Sequence, residues 1–237
     1  MKKQSGFTLV EIAIVLVIIG LLLGGVLKGQ ELINSAKVKN FASDIRNIST
    51  FIYAYQDRFR ALPGDDPRSE TNLAGAAVGD GTLATTPAAA ACGGTPCIGN
   101  ARINGAWNST TITDETALFW RQVRLAGLAT GTPTLPPAAA PGDAYYPRNA
   151  DGGRIGVSGD PVFTGAAVWA ANFFVCMSGV QGRFVRQLDT TLDDGNTSTG
   201  TVRVLGTAAG GELATSGTFY TVLPANDATL FTVCQAN

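Results

Sequence analysis

Gly6-Phe7-Thr8-Leu9-Val10-Glu11-Ile12-Ala13-Ile14-Val15-Leu16-Val17-Ile18-Ile19-Gly20 is the stretch that decides how this chain is read. A short basic leader, Met1-Lys2-Lys3-Gln4-Ser5-Gly6, runs straight into it. The apolar run then continues to Leu27 with Glu11 as its sole charge. Phe7 to Leu27 is 21 residues, close to the roughly 20 that a helix needs to cross a bilayer. Lys2 and Lys3 precede the run, so the positive-inside bias keeps the N-terminus in the cytoplasm and exports the rest. A secretory signal has its small-residue cleavage site after the apolar region, but here Lys28-Gly29-Gln30-Glu31 follows. The small residue, Gly6, lies before the apolar region. A cut there leaves the hydrophobic helix attached to the product.

Glu11 is the odd residue in this run. An acid inside a membrane helix costs roughly 2.5–3.5 kcal/mol at the centre and less near an end. Headgroup solvation at the interface is one way to offset that cost. Pairing with a cation on another copy of the chain is the other, and it gives the acid a purpose. Cutting after Gly6 creates the natural cation, the α-amino group of Phe7. In a low-dielectric helix bundle such a pair favours one axial stagger between neighbours over others.

Gly6-Phe7-Thr8-Leu9-Val10-Glu11, with the apolar residues through Gly20, closely resembles the prepilin signature of type IV pilins and type II secretion pseudopilins. The resemblance implies that a membrane prepilin peptidase cleaves after Gly6, that Phe7 becomes the methylated terminus and that Glu11 is the assembly glutamate. It implies partners as well: further copies of the chain, other pilins and an inner-membrane assembly platform. Many pilins carry a proline where this chain has Lys28, and Gly24-Gly25 and Gly29 offer other places to loosen the helix.

From Val38 the apolar positions are Val38, Phe41, Ile45, Ile48, Ile52, Tyr55 and Phe59. Steps of three and four residues mark a one-sided helical stripe. Lys37, Lys39, Asn40, Asp44, Arg46, Asn47, Asp57 and Arg58 form the polar face. A coiled-coil seam has a similar pattern, but a large domain follows and needs a helix to cover its sheet. Pro63-Gly64 is expected to stop the helix. Phe7 to about Arg60 gives a rod of roughly 80 Å. The expected organisation is a leader over 1–6, a membrane or filament-core helix over 7–27, its amphipathic continuation over 28–60 and an exported head over 61–237.

The chain has 237 residues and a net charge of −1, which loss of Lys2 and Lys3 takes to −3. There is no large basic field, so bulk attraction to nucleic acid is not indicated. Charged residues make up only 15%, and glycine numbers 29, a composition suited to a loop-rich β surface packed against neighbours. Four cysteines fit an oxidising compartment and allow three connectivities. Two disulfides are expected. In one connectivity Cys92 and Cys97 close a small loop, while Cys176 and Cys234 pin the C-terminus to a central strand. A C-terminal disulfide also resembles the pattern of many type IV pilins. Half a metal site at Cys92 and Cys97 is the competing reading, but no second pair matches it and the chain has no histidine.

Beyond the helix, residues 63–112 read as a long excursion rich in Gly, Ala, Thr and Pro. Asp65-Asp66 and Asp151-Gly152-Gly153 read as turns. Thr113 or Asp114 caps a helix carrying Leu118, Phe119, Val123 and Leu125, which Gly127 or Gly131 ends. Residues 132–147 form a Pro-rich loop, and Val168 to Met177 reads as a central strand. Gly182 to Leu192 forms a short helix with Phe184, Val185, Leu188 and Leu192 inward. Thr201–Leu205, Thr218–Leu223 and Thr229–Cys234 complete a sheet. The expected fold is α+β: a long N-terminal helix packed on an antiparallel sheet, in agreement with the pilin resemblance.

Chemistry is sparse. Asp189, Asp193 and Asp194, near Gly195-Asn196, offer hard oxygen ligands for calcium, and some secretion pseudopilins bind calcium near their C-termini. The alternative is a helix end followed by an Asp-Gly turn. With no histidine, no nucleophile elbow and no phosphate loop, an enzyme is not expected. Trp107, Tyr145, Tyr146 and Tyr220 form either an exposed aromatic platform or core and interface packing. The function expected is a structural prepilin, anchored once in the inner membrane and later part of a periplasmic or extracellular filament. The alternatives are a type II secretion pseudopilin and a minor tip pilin acting in adhesion or DNA binding.

Overall fold

The computed structural model describes residues 9–73, 98–112, 114–135, 145–162, 169–207, 209–211 and 218–237. One helix, α1 (Leu9–Phe59), dominates it. Three shorter helices follow: α2 (Ser69–Asn72), α3 (Glu115–Leu125) and α4 (Gly182–Leu192). Strands β1 (Ile155–Ser158), β2 (Phe174–Gln181), β3 (Val202–Leu205) and β4 (Leu230–Ala236) form one sheet in the order β1-β2-β4-β3. Every neighbouring pair is antiparallel. The architecture is α+β and pilin-like, a long N-terminal helix on an antiparallel sheet.

The stripe read from sequence is the stripe that packs. Val38, Phe41, Ile45, Ile48 and Ile52 are buried against the sheet and α4, and Tyr55 is buried one turn further on. Phe59 is half-buried, its ring 4.5 Å from that of Tyr55. Full burial of such side chains contributes roughly 1.5–3 kcal/mol each, far more than any surface ion pair on the same helix. The stop comes earlier than Pro63-Gly64. Arg60 turns left-handed, φ 56°, and ends α1 at Phe59.

Strand alternation divides the sheet into two covered faces. Val175 and Met177 on β2, Val202 and Val204 on β3, and Phe231 and Val233 on β4 join the α1 face. Phe174, Cys176, Leu205 and Cys234 point the other way, onto Trp107, Val162 and Trp169. Gly156 on β1 lies beneath Trp107, where an added Cβ would sit 1.9 Å from the Trp107 carbonyl oxygen. Trp107, Tyr145 and Tyr146 are therefore core residues, not a platform. Tyr220 is half-buried and stacks on Phe231 at 5.7 Å.

Several expectations need correction. The central strand begins at Phe174, not Val168, and extends to Gln181; Val168 itself lies outside the described residues. A bulge between Met177 and Val180 lengthens it. Thr218–Leu223 is not a strand: Phe219 only bridges to Leu205, and Pro224 opens a 3-10 turn. Asp114 precedes α3, but its side chain makes no cap and instead accepts a hydrogen bond from the Ser109 hydroxyl. Thr113 lies outside the described residues. α3 ends at Leu125, and Gly127, φ 74°, turns the chain just beyond it, its N–H bonding the Arg124 carbonyl. α3 is buried from Glu115 to Val123, and Leu125 is half-buried. On α4, Phe184, Val185 and Leu188 point inward as expected, and Leu192 is half-buried.

Asp65 and Asp66 lie at turns as expected, Asp65 N–H donating to the Leu62 carbonyl and the Asp66 carbonyl accepting from the Ser69 N–H, each at 3.2 Å, and both are buried fasteners as well. Asp65 accepts from the backbone N–H groups of Gly99, Asn100 and Ala101. Asp66 accepts from the Tyr55 hydroxyl at 2.9 Å and from Asn72. Together they tie the end of α1 to the 98–105 segment.

Candidate functional site

The N-terminal half of α1 stands free of the head. Leu9, Leu21 and Leu27 are 91%, 74% and 67% exposed, and none of the helix's most apolar stretch is buried. By length and composition this helix can cross a membrane. Such a continuous apolar surface marks a lipid or protein interface. The change of environment along α1 is sharp. Leu32 and Ile33 are still exposed, whereas Val38 and Phe41 are enclosed. Lys28 and Glu31 pair at 2.6 Å just past the apolar run, an exposed i,i+3 contact worth a few tenths of a kcal/mol. The helix runs unbroken through Gly24, Gly25 and Gly29.

Glu11 lies in the first turn of α1, exposed on the apolar half. Its negative charge suits a helix N-terminus. Gly6 and Phe7 lie outside the described residues, as do Cys92 and Cys97.

The head is fixed to this helix at two levels. Lys37, assigned to the polar face by its spacing, reaches Asp151 at 2.6 Å and also lies 5.4 Å from the centre of the Phe184 ring. Nothing in the sequence pairs residues so far apart. Farther along, Ser49 donates to the side chain of Asn237 at 3.1 Å, joining α1 to the C-terminus. Cys176 and Cys234 face each other directly across β2 and β4 and are disulfide-bonded. The bond lies inside the second core, where water and reductant are excluded.

At the end of α4, Asp189, Asp193 and Asp194 converge. Asp189 is fully buried, and burial first, then Asp194 and Asp193, push its carboxyl up to about 6 against the lowering effect of the Gly195 amide. Asp193 accepts from the N–H groups of Thr201 and Val202. Asp194 accepts from the Thr199 hydroxyl and the Asn196 N–H, which hold its carboxyl below the usual range. The run of Asp, Asn and Ser after α4 signals such turns, but the reach from Asp193 to β3 has no local signal.

Residues 1–27 match the family described as the prokaryotic N-terminal methylation motif, the signature of type IV pilins and pseudopilins. No curated protein and no solved structure matches the chain. The motif supports a type IV pilin-like or pseudopilin precursor, a structural class that is generally non-enzymatic. It also implies processing by prepilin peptidase and assembly with other pilins, and the apolar helix suggests membrane anchoring.

Proposed function

We propose that this chain is the structural subunit of a type IV pilus-like filament. Prepilin peptidase cuts after Gly6, and the new Phe7 terminus is N-methylated. The helix waits in the inner membrane with the head in the periplasm. Assembly on the inner-membrane platform then moves the apolar half of α1 from lipid into a bundle of equivalent helices. There Glu11 is neutralised by the Phe7 amine of a neighbour, and this pairing sets the axial stagger.

One observation carries the reading. A single helix has one face covered by its own head from Val38 to Tyr55 and is uncovered from Leu9 to Leu27. Exposing that much apolar surface to water would cost about 25 cal/mol per Å², so the segment needs lipid first and other copies afterwards. Gly20, Gly24, Gly25 and Gly29 have no atom near their Cβ positions, which leaves room for neighbouring backbones to approach closely.

The test is isolation of the mature chain from its native host, with electron microscopy and mass spectrometry. Many copies along surface fibres, beginning at methylated Phe7, support the proposal. Retention in short envelope filaments supports a type II secretion pseudopilin instead, and a few copies confined to fibre tips support a minor pilin. An isolated chain that begins at Met1 and never polymerises contradicts all three.

A further inference from the structure

The lysines beyond the leader sit on the unexpected side of the apolar run. Positive side chains flanking a membrane helix gather on the cytoplasmic side. Yet Lys28, Lys37 and Lys39, the only lysines after Lys3, all fall between residues 28 and 39, on the exported flank. Two of them are already answered: Lys28 pairs with Glu31 and Lys37 with Asp151, each at 2.6 Å. Lys39 is exposed and has no ion pair among the described residues.

Lys39 lines a groove between α1 and α4 with a volume of about 910 Å³. Arg183, exposed in the first turn of α4, lines it from the other helix. It too has no acidic partner among the described residues, and its guanidinium rests 4.6 Å from the centre of the Phe184 ring. The acids in the wall, Glu31 and Asp227, are taken by Lys28 and Arg186. The groove therefore offers two cations that the head itself does not answer, and no spare anion.

The lower end of the groove is Leu27, the last residue of the apolar run. Leu32 and Ile33 are 62% and 60% exposed, so apolar surface on α1 continues beyond Lys28. With those two at the acyl boundary, a headgroup layer about 5–7 Å deep covers roughly the next four residues of helix. Lys39 stands just above that layer. Helical side chains lean toward the N-terminus, here the bilayer side, and a lysine stem spans the remaining gap.

We propose that the groove between α1 and α4 seats the headgroup of one anionic phospholipid of the exported leaflet, its phosphate held by Lys39 and Arg183. The proposal rests on the membrane-resident stage of the function proposed above. Basic side chains beside a membrane helix select anionic headgroups, whereas the ammonium of a zwitterionic lipid would enter a groove whose unanswered charges are positive. The arginine fork matches phosphate geometry. The acyl chains lie along the exposed apolar half of α1. A lipid so placed ties the base of the head to the membrane surface while the helix waits for assembly.

The experiment uses the full chain in mild detergent with equal amounts of phosphatidylglycerol and phosphatidylcholine, and native mass spectrometry to count the lipids retained. The expected result is one retained phosphatidylglycerol per chain, preferred at least fivefold over phosphatidylcholine. Lys39→Gln combined with Arg183→Gln should cut that preference at least fivefold and leave the melting temperature little changed, because both side chains are exposed. Arg46→Gln combined with Arg68→Gln, the same charge change outside the groove, should keep it. Equal retention of the two lipids overturns the site, and so does an equal loss in both double variants, which would reduce the effect to bulk charge. Pairing of chains that is lost in Lys39→Gln with Arg183→Gln also overturns it, because the occupant is then a second copy. Retention of neither lipid overturns membrane residence together with the site, which separates that failure from failure of the site alone.

Discussion

Lys37 and Asp151, 114 positions apart, meet at 2.6 Å and clamp the middle of α1 to the turn before β1. Asp151 is held in that turn by Asn149, whose side chain also donates to the Ser178 carbonyl on β2 at 2.8 Å. Helix, turn and sheet are thus joined through Asp151 and Asn149, and the second carboxylate oxygen of Asp151 is buried without a hydrogen bond.

Removing the lysine should cost more than a surface pair, because Asp151 is left as a nearly buried charge. Lys37→Met, which keeps the stem over Phe184, is expected to destabilise the head by about 1–2 kcal/mol. Asp151→Asn in the same chain should recover part of that loss. A double-mutant cycle from denaturant unfolding in detergent measures the coupling, and strictly additive losses would show that the pair is only a surface contact.

Glu115 makes the head sensitive to alkali. It is fully buried at the start of α3, its Oε2 accepts from the Asn104 N–H at 2.6 Å, and its Oε1 has no hydrogen bond. Burial, then Asp65, Asp160 and Asp114, push its carboxyl up to about 8, against the lowering effect of the Asn104 amide. The folded head keeps a proton that the unfolded chain releases above its ordinary value of 4.5. This contribution is therefore largest below that value, falls as pH rises toward 8, and is flat beyond. The fall is at most about 1.4 kcal/mol per pH unit. Melting curves from pH 5 to pH 9 should show Glu115→Gln less pH-dependent than wild type; equal slopes would contradict the assignment.

Reducing Cys176–Cys234 should loosen the C-terminal strand. The bond closes a loop with a sequence separation of 58, worth about 4 kcal/mol by chain entropy. A Cys176→Ala, Cys234→Ala double variant should melt roughly 10 °C lower. An unchanged melting temperature would mean that the β2–β4 pairing is sufficient alone.

Gly6→Val should block maturation, because a branched side chain at the residue before the cut obstructs a peptidase that accepts glycine there. Mass spectrometry should find the variant starting at Met1 and still membrane-bound. Recovery of the normal mature mass would refute the assignment of Gly6.

The fold was legible where one physical pattern acted alone. Val38 to Tyr55 faces a single partner surface, so its spacing named both the helix and its buried side. Ile155-Gly156-Val157-Ser158 was missed as a strand because it is short and holds a glycine that makes room for Trp107. Thr218–Leu223 had the composition of a strand, but only Phe219 and Tyr220 reach β3 before Pro224 turns the chain. Asp114 had the identity and position of a cap, yet Ser109 claims its carboxylate. The same limit applies to the sites. Gly6, Phe7 and Glu11 fall within six consecutive residues and carry a local signature, and the three aspartates fall within one helical turn and its exit. Lys37 and Asp151 have no local signature, because only the finished fold brings them together.

The central claim is that Glu11 joins subunits and is not required for the subunit to fold. Filament yield from Glu11→Ala in the native host tests it most directly, scored alongside N-terminal processing and membrane insertion. The expected result is a processed, folded and membrane-bound chain that forms few or no filaments. Normal filament yield from that variant would contradict the account.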